Sequence, residues 1–231
     1  MKCKKISIII YLFFIINFAF SQENNGFSID DVNIFDRLIM NSYSKTLDYA
    51  GTSMLAVSLL TPAILFSAPS QDYWKIGLEY AQTIIFASML KELFKLCVDR
   101  PRPYMYFNGV PTEKVKDGDW NDSFISGHST LSFAAASFSS YLFCQYYPDS
   151  KWKFPVIFSS FGLATTTAIL RLCSGNHFMT DVICGAIVGS SVGLLVPWLN
   201  SLWIKPSYKL NKSKDLQITL SPVGLYLNMK I

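Results

Sequence analysis

Five apolar segments follow one another between residues 49 and 199 of this chain, at 49–66, 76–98, 128–147, 155–173 and 182–199. Each is about as long as the roughly 20 helical residues that cross the hydrocarbon core of a bilayer. The second segment carries Glu79, Lys91 and Glu92, and the third is rich in serine. Such side chains should face the interior of the bundle or its polar end. The pattern predicts an all-α, membrane-embedded helical bundle.

The first residues predict an export or anchoring signal. A lysine-rich start precedes an uncharged apolar run over 6–20, and small residues follow it. Residues 1–21 are therefore predicted to be a signal peptide or a first membrane anchor, which gives five or six transmembrane helices and places residue 22 outside the cytoplasm. Residues 22–48 are polar and acidic. Val32, Phe35, Leu38 and Ile39 recur at helical spacing there, which predicts an amphipathic extracytoplasmic segment that lies on the membrane or packs on the domain.

Composition narrows the functional classes. Only 16% of the 231 residues are charged, whereas a soluble domain averages about 25%. The net charge of +4 is spread along the chain, so we expect no nucleic-acid partner.

Lysines predict which loops face the cytoplasm. Loops 67–75 and 148–154 and the tail from 205 hold lysines and are assigned to the inside. Loops 99–127 and 174–181 are assigned to the outside. The sequence leaves the oligomeric state open.

Two further patterns concern packing. Gly185, Gly189 and Gly193 form two consecutive GxxxG steps, a face that lets a neighbouring helix approach closely. Apolar residues alternate within the tail, 205–231, on either side of Ser221-Pro222-Val223-Gly224, which predicts a small β-hairpin.

Three polar clusters fall at the outer ends of the predicted helices. They contain Lys95 and Arg102-Pro103; Ser126-Gly127-His128; and Arg171, His177 and Asp181. The second cluster starts a helix, where free N–H groups suit an anion. Asp181 lies four positions after His177, one helical turn, so this carboxylate can orient the imidazole. Three cations, two imidazoles and a carboxylate suit metal-free phosphoryl transfer. Arg100 lies beside the first cluster but is not one of its members, and it is interpreted as a solvated or headgroup-facing charge.

The spacing of these clusters resembles the three signature motifs of the type 2 phosphatidic acid phosphatase superfamily. That superfamily includes lipid phosphate phosphatases, bacterial acid phosphatases and vanadium haloperoxidases. Lys95 is followed after six residues by Arg102-Pro103, and Arg171 is followed after five residues by His177 and after three more by Asp181. The resemblance covers about residues 47–200 and implies a catalytic domain over 49–204. Ile125 and Leu170 replace the proline and serine of the motifs.

The resemblance implies a role for each motif residue. His177 would be the nucleophile that forms a phosphohistidine, with Asp181 orienting it. His128 would protonate the leaving alkoxide and later deprotonate water. The phosphate oxygens would be bound by Lys95, Arg102, Arg171, Ser126 and the Gly127 backbone N–H. Neither a metal nor another cofactor would be required. Because Leu170 lacks the hydroxyl of the motif serine, we expect reduced affinity for the phosphate or an altered orientation of it.

Together these inferences predict a metal-independent phosphatase of the cell membrane. It would hydrolyse a lipid phosphate or pyrophosphate at a site that faces the periplasm or exterior, with the bilayer and the lipid substrate as its partners. The lipid itself is left open. The alternatives are a soluble secreted acid phosphatase of the same superfamily, a non-catalytic lipid-binding or transport homologue, and a vanadate-dependent haloperoxidase.

Overall fold

The computed structural model describes residues 27–203 and, near the C-terminus, 217–221 and 224–228. Within residues 27–203 the regular structure is helical. The α-helices are α1 (Ile34–Arg37), α2 (Lys45–Leu59), α3 (Tyr73–Cys97), α4 (Thr112–Lys116), α5 (Gly127–Tyr146), α6 (Lys153–Cys173) and α7 (Met179–Trp203). The predicted signal peptide or anchor at 1–21 lies outside the described residues. The five long helices coincide with the five apolar segments, and the predicted all-α class is confirmed.

Helix α5 is the central helix of the bundle. It packs against α2, α3, α6 and α7. Most of its residues are buried, including Ala134, Ala135, Ala136 and Ser137. Because other helices surround α5, its serines contact protein. The helix therefore does not need the apolar composition of a lipid-exposed span.

The glycine stripe of α7 packs directly on α5. A Cβ atom on Gly185 would lie 2.7 Å from the carbonyl oxygen of Ser126, and one on Gly189 would clash with the carbonyl of Thr130. A Cβ atom on Gly193 would likewise clash with the carbonyl oxygen of Ala134. The predicted close helix–helix approach is confirmed, since only glycine leaves room for it.

Three of the long segments are long and apolar enough to cross a membrane. They are Lys45–Ser67, in which a 3₁₀ turn at Thr61–Ser67 extends α2, then Lys153–Cys173 and Met179–Trp203, with mean hydropathies of 1.6, 1.5 and 2.0. Helix α3, with its charged residues, and helix α5, with its serines, are not among them. The predicted count of five or six spans therefore stays a prediction.

The N-terminal segment differs from its prediction. Helix α1 is a single turn, and Val32 is buried whereas Phe35, Leu38 and Ile39 are exposed. The expectation that these four apolar residues share one face is wrong. A helix that spans only 34–37 does not carry its 3.6-residue period to positions 32 and 39.

The tail contains two short strands. β1 (Gln217–Ser221) and β2 (Gly224–Asn228) pair antiparallel, with Ile218 opposite Leu227. Residues 222 and 223, which would connect them, lie outside the described residues. The predicted hairpin turn therefore stays a prediction.

Candidate functional site

All three predicted clusters lie at one end of the bundle. Helix α3 ends two residues after Lys95, and α6 ends two residues after Arg171. Helix α5 begins at Gly127 and α7 at Met179. Backbone hydrogen bonds join the loops between them: Ser126 N donates to Asp181 O at 3.1 Å, and Tyr104 N to Gly175 O at 3.2 Å. Residues far apart in sequence are thereby held around one mouth of the bundle.

Gly175 permits the tight turn between α6 and α7. Its φ of +71° lies in the left-handed region that favours glycine. A Cβ atom there would also lie 2.5 Å from the carbonyl oxygen of Asn41. The turn places His177 between Arg171, at the end of α6, and Asp181, in the first turn of α7.

The His177 imidazole is buried and held in one tautomer. Its Nδ1 lies 2.8 Å from the carbonyl oxygen of Ser123. Because a carbonyl oxygen only accepts, Nδ1 carries the proton and Nε2 keeps its lone pair. Burial, followed by the charges of Arg102 and Arg171, lowers the pKa of His177 well below its ordinary value. The imidazole is therefore neutral, with one nitrogen free to act as a nucleophile.

Asp181 lies beside His177 without a direct hydrogen bond to it. Its Oδ2 is 3.8 Å from His177 Nδ1, which is too long for a hydrogen bond. The same oxygen accepts from Ser123 Oγ at 2.6 Å and from Phe178 N at 2.8 Å. Ser123 lies between the two groups: its hydroxyl donates to Asp181 and its carbonyl oxygen accepts from His177. Because α7 begins at Met179, His177 precedes the helix, and the i,i+4 spacing of a helix does not bring its ring against the carboxylate. The orienting role of Asp181 stays a prediction.

The two arginines of the clusters are buried and each is held by an aspartate. Arg102 donates to the Asp119 carboxylate at 2.5 Å and to its carbonyl oxygen at 2.6 Å. Arg171 forms an ion pair with Asp48 in the first turn of α2. Within the described part of the chain, the buried Nε of Arg171 has no hydrogen-bond partner. Such a donor is suited to an anion that enters the site.

Lys95 completes the cationic group. It is half-buried near the end of α3. Its ammonium group lies within electrostatic range of Arg102 and of the His177 imidazole. Three cations therefore act on one neutral imidazole.

The start of α5 supplies the remaining groups. Ser126 is the N-cap, and its Oγ accepts from Ser129 N at 3.4 Å and from Ser129 Oγ at 3.1 Å. The Ser126 hydroxyl proton remains available to donate. A Cβ atom on Gly127 would lie 2.9 Å from Cδ of Lys91, so the lysine stem covers this backbone.

His128 faces helix α2. Its Nε2 lies 3.2 Å from Thr52 Oγ1, and this hydroxyl donates its single proton to the carbonyl oxygen of Asp48 at 3.1 Å. The His128 Nε2 must therefore carry a proton and donate it to Thr52. Arg171, His177 and Arg102 all lie within electrostatic range of His128.

A family comparison matches the segment that carries these groups. Residues 76–205, more than half of the chain, match the sequence model of the PAP2 superfamily. The chain belongs to the PAP2 superfamily.

Two relatives of this PAP2 chain carry names that refer to phosphatases. Lipid A 1-phosphatase of Porphyromonas gingivalis is 31% identical over 124 residues, which are 50% of this chain and 26% of that protein. A PA-phosphatase related-family protein of Dictyostelium discoideum is 25% identical over 162 residues, 64% of this chain and 59% of that protein. The chain therefore spans less than two thirds of either relative.

A solved structure shares the fold. It is the first transmembrane PAP2 type phosphatidylglycerolphosphate phosphatase from Bacillus subtilis, with a TM-score of 0.57 and 20% identity. The similarity covers 86% of this chain and 97% of that one. Together with the apolar helices, these similarities identify an integral membrane protein, which disfavours the soluble alternative.

The PAP2 motifs leave out several residues that organise the site. Arg100, interpreted from the sequence as a solvated or headgroup-facing charge, is instead largely buried. It forms ion pairs with Asp36 and Asp181, and its guanidinium lies 4.2 Å from the Phe178 ring centroid. Asp48, Asp119 and Ser123 were also missed. Asp48 could have been noticed as a lone carboxylate at the start of an apolar segment; the other two lie in a loop without periodicity.

Proposed function

We propose that this protein is a metal-independent phosphatase that hydrolyses a lipid phosphate or pyrophosphate through a phosphohistidine on His177. The observation that carries the proposal is the free Nε2 of a neutral, buried imidazole within electrostatic range of Lys95, Arg102 and Arg171. A neutral imidazole can attack phosphorus, and the cations compensate the charge of the phosphoryl oxygens.

The reaction would proceed in two steps. His177 Nε2 attacks phosphorus, the P–N bond forms and the P–O bond to the alkoxide breaks. The alkoxide takes a proton from the imidazolium form of His128, which becomes a neutral imidazole. A water molecule then gives a proton to His128 while its oxygen attacks phosphorus. The P–N bond breaks, inorganic phosphate leaves, and both imidazoles return to their starting states.

The phosphate oxygens would be held by groups that are already oriented. Asp48 and Asp119 fix the guanidinium groups of Arg171 and Arg102, so little side-chain freedom is lost on binding. The unpartnered Nε of Arg171 and the hydroxyl proton of Ser126 are further donors. The backbone N–H of Gly127, in the first turn of α5, is another.

The lipid class of the substrate follows from the position of the site. It lies at the ends of helices that are apolar enough to cross a membrane. A headgroup phosphate could enter this mouth while its acyl chains stay in the bilayer. Two of the relatives above are named as lipid phosphatases.

We assign the site to the extracytoplasmic side. Lys151, between α5 and α6, and Lys153, the first residue of α6, lie at the opposite end of the bundle from His177. Cytoplasmic loops carry an excess of lysine and arginine. In variants whose native cysteines are replaced by serine, a membrane-impermeant maleimide added to intact cells should label a cysteine at Asn108, in the loop after α3, and not one at Lys151. The reverse labelling would contradict the assignment.

The decisive experiment measures release of inorganic phosphate from a panel of lipid phosphates in EDTA. We expect turnover by the wild type and a loss of at least about 10³-fold in His177→Asn. Asn108→Ala, in an exposed loop position, is the matched control and should keep its activity. Loss of wild-type activity on chelation, or unchanged turnover by His177→Asn, would contradict the proposal.

A further inference from the structure

The short helix α1 places its apolar side chains outward and its charged residue inward. Ile34, Phe35 and Leu38 are 70%, 67% and 74% exposed, whereas Asp36 is fully buried. This arrangement is the reverse of a helix that lies between a protein and water. A cluster of large apolar side chains held outward in this way marks an interaction surface.

Asp36 fixes the orientation of α1. Its Oδ2 lies 2.6 Å from Arg100 Nη2 and accepts from Thr180 Oγ1 at 2.8 Å. Its Oδ1 accepts from Thr180 N at 2.9 Å. Turning the apolar side chains inward would leave Arg100 without one of its carboxylates and would expose these hydrogen bonds. The outward position of the apolar residues is therefore built into the fold.

The surface beside α1 identifies its partner. Helix α1 packs against α7, the most apolar of the three candidate spans. Ile183 and Ile187 follow Thr180 by three and seven positions, so the three residues lie on one face of α7. Thr180 contacts Asp36, while Ile183 and Ile187 are 45% and 61% exposed. The apolar surface of α1 thus continues directly into the lipid-facing surface of α7.

We propose that Ile34, Phe35 and Leu38 of α1 insert into the leaflet of the bilayer at the same end of the bundle as the candidate site. A short amphipathic element in this position enters roughly 5–10 Å into the boundary between headgroups and acyl chains. Its charged neighbours point elsewhere: Arg37 forms an ion pair with Asp30 and donates to the Val32 carbonyl.

The consequence is a link between the membrane and the site. Asp36, beneath the inserted residues, pairs with Arg100, and Arg100 pairs with Asp181 next to the His177 loop. The inference concerns the lipid contact of α1 and does not depend on the proposed reaction.

The test is spin-label accessibility in lipid nanodiscs of the full chain. Cysteines are introduced singly at Leu38, at Ile187 as the lipid reference and at Asn108 as the water reference. Serine first replaces the five native cysteines, Cys3, Cys97, Cys144, Cys173 and Cys184. Power saturation is recorded with molecular oxygen, which concentrates in lipid, and with a water-soluble nickel chelate.

We expect the Leu38 label to collide with oxygen and to be shielded from the chelate, as at Ile187. Chelate accessibility equal to that at Asn108 would show a water-facing surface and overturn the proposal. Low collision with both reagents would show that protein covers α1, whether a second copy or the N-terminal residues, and would also overturn it. A parallel label at Phe35 guards against a local effect of one substitution.

Discussion

Arg100 and Asp181 form a largely buried ion pair against Phe178, the residue that follows His177. The other end of the guanidinium pairs with Asp36, 2.6 Å away. One arginine therefore joins three parts of the chain: the N-terminal segment, the loop after α3 and the first turn of α7. None of the spacings that define the motifs includes this residue.

Replacing Arg100 by Met should strongly destabilise the fold. It leaves Asp36 and Asp181 as buried carboxylates without a cation, and breaking a buried ion pair costs about 3–5 kcal/mol. We expect a loss of this size in the free energy of unfolding, measured in detergent. The double variant Arg100→Met/Asp36→Asn should recover part of it. Arg37→Met, which removes an exposed pair with Asp30, should cost about 1 kcal/mol or less. Strictly additive losses in the double variant would contradict the coupling.

The state of His177 predicts a pH dependence of stability. Burial lowers its pKa well below the ordinary value of 6.5. Below pH 6.5 the unfolded chain therefore binds more protons at this position than the folded chain does. The free energy of unfolding should fall as pH decreases from about 6.5 toward the lowered pKa, and this contribution should be constant above that range. His177→Gln should show a shallower slope between about pH 6.5 and 5. Equal slopes in the two proteins would disprove the assignment.

The proposed acid role of His128 predicts a dependence on the leaving group. General acid catalysis raises the rate of bond cleavage by about 10²–10⁴-fold. An alkoxide leaving group is strongly basic and needs the proton, whereas a nitrophenolate is weakly basic and can leave without it. In His128→Ala, kcat on a lipid phosphate should therefore fall by about this factor. The rate of phosphoenzyme formation from an activated aryl phosphate should fall much less. His177→Ala serves as the comparison, since it should lose both. A similar loss for both substrates in His128→Ala would argue against proton donation.

Leu170 stands where the family motif has serine, and its Cβ lies close to Gly51 of α2. We expect Leu170→Ser to raise kcat/KM a few-fold, because a hydroxyl beside Arg171 adds a donor for phosphate. The matched control is Leu170→Ala, which removes the same bulk without adding a hydroxyl. If both variants have the same kcat/KM as the wild type, the missing hydroxyl has no role.

The contact between α5 and α7 predicts a contrast between two glycines. Gly189→Ala should destabilise the fold by about 1–3 kcal/mol or more, because the added methyl group clashes with the backbone of Thr130. Gly162→Ala, in the interior of α6 with no atom near its added Cβ, should be neutral or stabilising by up to about 1 kcal/mol. Both values come from unfolding of the purified protein in the same detergent. Equal effects would mean that the glycine stripe does not set the helix approach.

Much of the helical architecture could be predicted because its causes are local. Apolar segments of membrane-spanning length become helices, and the prolines at 101 and 103 fall where α3 has already ended. The glycine stripe at 185, 189 and 193 could be identified from its own spacing and packs as expected. Helix α1 was harder to predict, because one turn is too short for periodicity to reveal which side is buried.

The sequence by itself determined the class of fold and the three clusters of ionisable residues at helix ends, because short-range spacing encodes both. Only the tertiary structure decided which groups hold those residues. Ser123, 54 residues before His177, holds its imidazole, and Asp48, 123 residues before Arg171, holds its guanidinium. Such partners are selected by the packing of whole helices, and a contact between residues so far apart leaves no periodic signal in the chain.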